Sequence, residues 1–219
     1  MSIALSLGNN LTTGGIFKPA AVNNTSVNNV TDFAGIAGGG TLILLSTQTA
    51  SASASISFTT GIDSTYDEYV FKFINCHPAT DGVEFQFNLS TDGGSNYNVT
   101  KTTTFFRPYH YENDTANSLD YLTPNDLAQS TNYQSIARYV GNSADECASG
   151  YLNLFNPSST TYVKHFISNA NFYRADDGSE QDFVAGYGNT TSAINAINFQ
   201  MSSGNIDDGI IKMYGVVKS

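Results

Sequence analysis

After its first forty residues the chain alternates apolar and polar positions with a period of two, the signature of strands with one dry and one wet face. The pattern is clearest in residues 66–90. Tyr69, Phe71 and Phe73 alternate with Val70, Lys72 and Ile74. A breaker run, Asn75-Cys76-His77-Pro78-Ala79-Thr80-Asp81-Gly82, follows. Val83, Phe85, Phe87 and Leu89 then alternate with Glu84, Gln86, Asn88 and Ser90. Burial of such rings stabilises a fold by about 25 cal/mol per Å² of apolar surface, so the two segments are expected to form a hairpin at the centre of the core.

The rest of the chain from residue 41 onward reads in the same way. Residues 41–46 form a short apolar run, and Ala50, Ala52, Ala54, Ile56 and Phe58 alternate with serines, a face small enough to imply close approach of another layer. Thr91-Asp92-Gly93-Gly94-Ser95-Asn96 is a strong turn signal, because Gly and Asn take positive φ at little steric cost, and it leads to a Thr-rich strand expected over 97–106. Residues 107–132, with Pro108 and Pro124, read as long loops with one or two short strands. Further strands are expected at 133–140, 150–155, 162–168, 171–174, 182–187, 194–201 and 209–217. Asn156-Pro157-Ser158-Ser159-Thr160 and Asp176-Asp177-Gly178 supply turns between them. Closely spaced strands without a convincing helix predict an all-β fold, a two-sheet antiparallel β-sandwich of jelly-roll-like kind over residues 41–219.

Residues 1–40 break the pattern. Gly14-Gly15, Gly38-Gly39-Gly40 and three Asn pairs surround isolated apolar residues: Ile16, Phe17, Val22, Val27, Val30, Phe33 and Ile36. These are too sparse for a core of their own and too frequent for a solvated linker. They predict an extended N-terminal arm for attachment or assembly, either folded over its own domain or docked on a neighbour.

Composition narrows the partners. With 219 residues, 40% hydrophobic and 12% aromatic, the chain has enough apolar material for one large all-β domain or two small ones. Its net charge is −10, and its nine Lys and Arg are scattered singly, so no basic stripe exists for nucleic acid or an anionic membrane. Only 13% of residues are charged, and the abundant Asn, Ser and Thr resemble the makeup of extracellular and virion β-proteins. No apolar run approaches the roughly 18–20 residues that span a bilayer, and residues 1–7 lack the basic and hydrophobic regions of a secretory signal. A soluble protein without an export signal or membrane insertion is therefore expected. Cys76 and Cys147 are expected to be free thiols from a reducing place of synthesis, a single bridge being the alternative.

Candidate chemistry is thin. Cys76 and His77 are neighbours that point opposite ways on a strand, and no H-E-x-x-H or C-x-x-C spacing supports a zinc site from His77, His110 or His165. Asp176-Asp177-Gly178-Ser179-Glu180 and Asn205-Ile206-Asp207-Asp208-Gly209 lack the alternating ligands of a calcium loop and read as solvated turns. No catalytic residue, cofactor or metal is expected. Tyr109, Tyr111 and Tyr121 stand in the loop-rich stretch beside Glu112, Asp114, Asp120 and Asp126. Their amphipathic rings make them the candidates for host-surface or glycan contact, with packing as the alternative for each.

Four segments carry a resemblance: residues 44–58 (LLSTQTASASASISF), 62–73 (IDSTYDEYVFKF), 154–166 (LFNPSSTTYVKHF) and 204–215 (GNIDDGIIKMYG). They resemble a domain recurrent in predicted virion proteins of marine tailed bacteriophages, including phages of cyanobacteria, over residues 41–217. The resemblance implies a non-enzymatic virion structural protein, made in the host cytoplasm and belonging to the tail-fibre or adhesion apparatus. A capsid decoration protein and a carbohydrate-binding module are the alternatives, the last disfavoured by the absence of Trp. The implied partners are the chain itself as a homotrimer, other virion proteins through the N-terminal arm, and a host surface glycan. The family supplies no catalytic residues.

Overall fold

A computed structural model describes residues 42–217. The expected arm, with Ile16, Phe17, Val22, Val27, Val30, Phe33 and Ile36, lies outside the described residues. Within them the fold is all-β, with twelve strands: β1 (Leu42–Ser53), β2 (Ile56–Phe58), β3 (Glu68–Pro78), β4 (Val83–Ser90), β5 (Lys101–Tyr111), β6 (Asn117–Tyr121), β7 (Gln134–Val140), β8 (Ala148–Phe155), β9 (Lys164–Arg174), β10 (Gly178–Gly188), β11 (Ala196–Met201) and β12 (Ile206–Val216).

Every strand pairing is antiparallel. The hydrogen-bonded path runs β1-β12-β3-β8-β9-β7-β4-β11-β2, with β10, β5 and β6 continuing from β9. One pair, Val140 with Arg174, makes the step from β9 to β7. The sheet therefore has an eight-strand wall, β1-β12-β3-β8-β9-β10-β5-β6, and a four-strand wall, β7-β4-β11-β2. It curls until the two meet in a nearly closed, barrel-like form. Rings from opposite walls touch edge-on or tilted, the geometry aromatic pairs favour: Phe73 with Phe85 at 5.2 Å, Phe71 with Phe199 at 5.7 Å and Phe166 with Phe87 at 4.9 Å.

The pairing is nested. β1 pairs β12, β2 pairs β11, β3 pairs β8 and β4 pairs β7, so the outermost strands in sequence pair with each other and the innermost likewise. The β5–β6 hairpin is inserted between β4 and β7, and the β9–β10 hairpin between β8 and β11.

The expected hairpin of residues 66–90 is corrected. Both strands form, but β3 lies between β12 and β8 while β4 lies between β7 and β11. Residues 79–82 carry the chain from one wall to the other, with Gly82 at φ 63° and the Ala79 N–H donating to Asn205 O at 3.0 Å. Packing explains the arrangement. Tyr69, Phe71, Phe73, Phe85, Phe87 and Leu89 are all buried. A hairpin would set them on one face of one sheet, whereas opposite walls let the two sets cover each other.

The small face of Ala50, Ala52 and Ala54 also differs from expectation. Ala50 is buried, but Ala52, at φ 49°, and Ala54 are exposed, because the alternation breaks where the chain turns from β1 into β2. The Thr-rich strand is displaced too: β5 runs from Lys101 through Tyr111 and includes Pro108. Proline has no N–H to give, and the ladder to β10 lapses at Arg107 and Pro108. The segments expected at 162–168 and 171–174 are one strand, β9, and the turns at 156–160 and 176–178 join paired strands.

Candidate functional site

The inserted hairpins form a patch, β9-β10-β5, on which residues directly opposite one another share a face. Rows on the face that carries the core ring Phe105 can be followed across three strands. At one end stand Lys101, Gly188 and Lys164; in the middle Phe105, Val184 and Ser168; then Tyr109, Glu180 and Phe172; at the far end Tyr111, Gly178 and Arg174. Charge sits at both ends and apolar packing between.

At the far end three guanidiniums converge on Glu180, which is 1% exposed. Its Oε1 accepts Arg138 Nε at 2.9 Å, and its Oε2 accepts Nη1 of both Arg107 and Arg174. Arg174 also grips Asp176 bidentately, Nε to Oδ1 at 2.6 Å and Nη2 to Oδ2 at 2.7 Å, and this contact holds Asp176 below the usual carboxylate range. Asp182, on the same face of β10, accepts the Arg138 backbone N–H at 2.8 Å, while its Oδ1 is buried without a partner. Burial first, and the Glu180 carboxylate second, push its pKa well above the ordinary value, so the neutral acid is favoured over the carboxylate. Two carboxylates stand close together here, as in an acid–base site, yet both are sealed from any substrate. The geometry is that of a buried charge cluster.

Two of the three predicted tyrosines belong to this cluster. The Tyr109 ring lies 4.6 Å from the Arg107 guanidinium and 5.4 Å from that of Arg174, and meets Tyr111 edge-on at 5.5 Å. Tyr111 donates to Asp176 Oδ2 at 3.0 Å. Tyr121 is elsewhere. Its register partner is Phe106, so it lies on the opposite face of the sheet, exposed, with its hydroxyl donating to Asp126 at 2.7 Å. The structure thus does not bring the three rings together.

It does assemble a groove that sequence reasoning missed. On the outer face of the four-strand wall, a groove of about 510 Å³ is lined by Glu84, Gln86, Asn125, Tyr133, Ser135 and Ser202, among others. β4 and β7 supply its floor, and residues 124–133 its rim. Glu84 accepts Gln86 Nε2 at 2.7 Å and Asn125 Nδ2 at 2.9 Å, while Tyr133 donates to Asn198 Oδ1 at 3.1 Å. Ser135 Oγ is buried without a partner. Planar amides, a carboxylate and one half-buried ring are groups that hydrogen-bond and cover a polyhydroxylated ligand. The signal was present as the polar phase of β4, Glu84 and Gln86, but residues 124–133 are brought over it only by the fold.

The remaining candidates separate. The Cys76 thiol is buried and pushed up to about 12 by desolvation, and both cysteines are free. His77 Nε2 contacts Ser143 O at 3.1 Å. Among the described residues no group of three His, Cys, Asp or Glu side chains is placed to hold a metal ion. Compared with protein-family models, curated proteins and solved structures, the chain matches none.

Proposed function

We propose that the chain is a non-enzymatic structural protein of a tailed bacteriophage particle, a jelly-roll β-sandwich in the tail-fibre or adhesion apparatus that touches a host surface glycan. The nested pairing of β1 with β12, β2 with β11, β3 with β8 and β4 with β7 supports the architecture, because a long antiparallel ribbon rolled on itself gives that order. The resemblance of residues 41–217 to phage virion domains supports the setting. The observation that carries adhesion is the open polar groove over β4 and β7, since hydrogen-bonding groups on a rigid sheet suit sugar hydroxyls.

Self-association, as the expected homotrimer, draws support from the outer face of the eight-strand wall. There Leu44, Tyr214, Val70, Asn153, Ile167 and Ala185 form one cross-strand row, with Leu44 and Ile167 about half exposed. The N-terminal segment serves in this reading as the attachment to other virion proteins.

Quantitative protein counting on purified virions tests the proposal. A tail or fibre protein occurs in small multiples of three per particle, and soluble host polysaccharide should compete for its adsorption. Hundreds of copies per particle would make it a capsid decoration protein, and absence from the particle would overturn the reading altogether.

A further inference from the structure

Lys101 is 0% exposed, and no carboxylate stands within ion-pair distance of it among the described residues. Its Nζ donates to Val99 O at 2.9 Å and lies 2.5 Å from Asn88 Oδ1, closer than an ordinary ammonium–amide contact. Asn88 is likewise sealed. Its Nδ2 is held by Tyr97 O at 2.7 Å and Thr131 O at 3.0 Å, and its Oδ1 also accepts the Leu89 N–H at 2.9 Å. The amine and the carboxamide are thus held in contact, away from water, by hydrogen bonds to the surrounding backbone.

An ammonium buried without a counter-ion is strongly disfavoured, and burial shifts this group towards the neutral amine. Burial brings the Lys101 pKa down to about 7, so a large share of the molecules hold a neutral, nucleophilic nitrogen against the Asn88 carboxamide at physiological pH. The arrangement supplies the proximity that converts a slow bimolecular aminolysis into an intramolecular step.

We propose that Lys101 and Asn88 form an intramolecular isopeptide bond. Nζ attacks Cγ of Asn88, and the negative charge that develops on Oδ1 is met by the Leu89 N–H. The Nζ–Cγ bond forms, the Cγ–Nδ2 bond breaks, and a proton released by Nζ goes to Nδ2, which leaves as ammonia. No oxidant, metal or second substrate enters the balance. The product is a neutral secondary amide, which removes the buried amine and its desolvation cost. Among the described residues β4 pairs only with β7 and β11, and β5 only with β6 and β10, so the bond would staple the four-strand wall to the inserted β5–β10 patch where no ladder between described strands joins them.

Mass spectrometry of the purified full-length chain decides the matter. The intact mass should be lighter than the sequence by one ammonia, and proteolysis should yield a branched peptide joining the segments that carry Asn88 and Lys101. Lys101→Arg and Asn88→Ala should each restore the sequence mass and abolish the branched peptide, while Asn88→Asp should link with loss of water. A wild-type chain at its sequence mass, with both residues in linear peptides, overturns the proposal. Loss of ammonia without the branched peptide overturns it equally, because a succinimide at any Asn gives that mass.

Discussion

The two ends of the β9-β10-β5 patch treat buried cations in opposite ways. At one end Arg107, Arg138 and Arg174 share Glu180, with Asp176 and Asp120 beside them. At the other, Lys101 and Lys164 flank Gly188 and meet only neutral oxygens, Asn88 Oδ1 and Val99 O for the first, Tyr162 O and Thr190 O for the second. A guanidinium does not give up its proton in a protein, so its burial requires carboxylates in fixed geometry; an ammonium can escape the cost by becoming an amine. Both lysines accordingly have their pKa lowered by burial. Gly188 lets the lysine row pack, since a Cβ there would come within 3.0 Å of Val99 Cγ1.

The largest effect should come from removing the shared acceptor. Glu180→Ala leaves three guanidiniums without their common partner, and breaking buried pairs of this kind costs about 3–5 kcal/mol. Lys164→Met should cost less than about 1.5 kcal/mol, because only two neutral hydrogen bonds go. Denaturant unfolding of the two variants measures the contrast, and equal losses would mean that the lysine end is ionised and paired after all.

The next effect is a pH dependence of opposite sign at the two ends. Asp182 keeps its proton to higher pH in the folded chain, whereas the unfolded chain releases it around the ordinary value of 3.8. Its contribution is therefore fully present below that value and is lost as pH rises towards the raised folded pKa. Asp182→Asn does not titrate, so its stability relative to wild type should grow with pH above about 4. A free Lys101 behaves in the reverse sense. Between about 7 and 10.5 the unfolded chain binds the proton that the folded chain has lost, so stability should rise across that window. Asn88→Ala, which cannot form the isopeptide bond, should show this rise, and wild type should not, because a linked nitrogen has no proton to exchange. The comparison is one of unfolding free energies at pH 7 and pH 10.

These charged ends were the least legible part of the sequence. The strands themselves could be read from period-two alternation, as at Phe85, Phe87 and Leu89, since burial of one face constrains every second residue. Turn chemistry gave the β9–β10 connection at Asp176-Asp177-Gly178. Alternation says nothing of which strand a face meets, so the four residues after Pro78 looked like a hairpin when they are a passage between walls. Glu180, Asp182, Arg174, Lys101 and Lys164 occupy the inward phase of strands whose centre is apolar. A lone charged residue reads as solvated, and its partners here are supplied by strands up to 73 positions away, as for Arg107 and Glu180. The groove eluded sequence reasoning for the same reason, its rim and floor being joined by contacts such as Asn125 reaching Glu84 across 41 positions.

The smallest effect separates the predicted tyrosines from one another and from the groove. Tyr121 is 53% exposed, and its hydroxyl meets only Asp126 in solvent, so Tyr121→Ser should change unfolding free energy by no more than about 0.5 kcal/mol. Tyr109→Ser strips the ring that two guanidiniums cover and should cost more, about 1–3 kcal/mol. Neither variant alters the groove, so host adsorption of particles carrying Tyr121→Ser should match wild type, while Gln86→Ala should weaken adsorption with little loss of stability. In the proposed reading, sugar binding by Glu84, Gln86 and Tyr133 would exchange their hydrogen bonds for those of a ligand, and an amide removed from the floor leaves Glu84 one donor fewer. Normal adsorption with Gln86→Ala and weakened adsorption with Tyr121→Ser would move the contact surface from the four-strand wall to the outer face of β6.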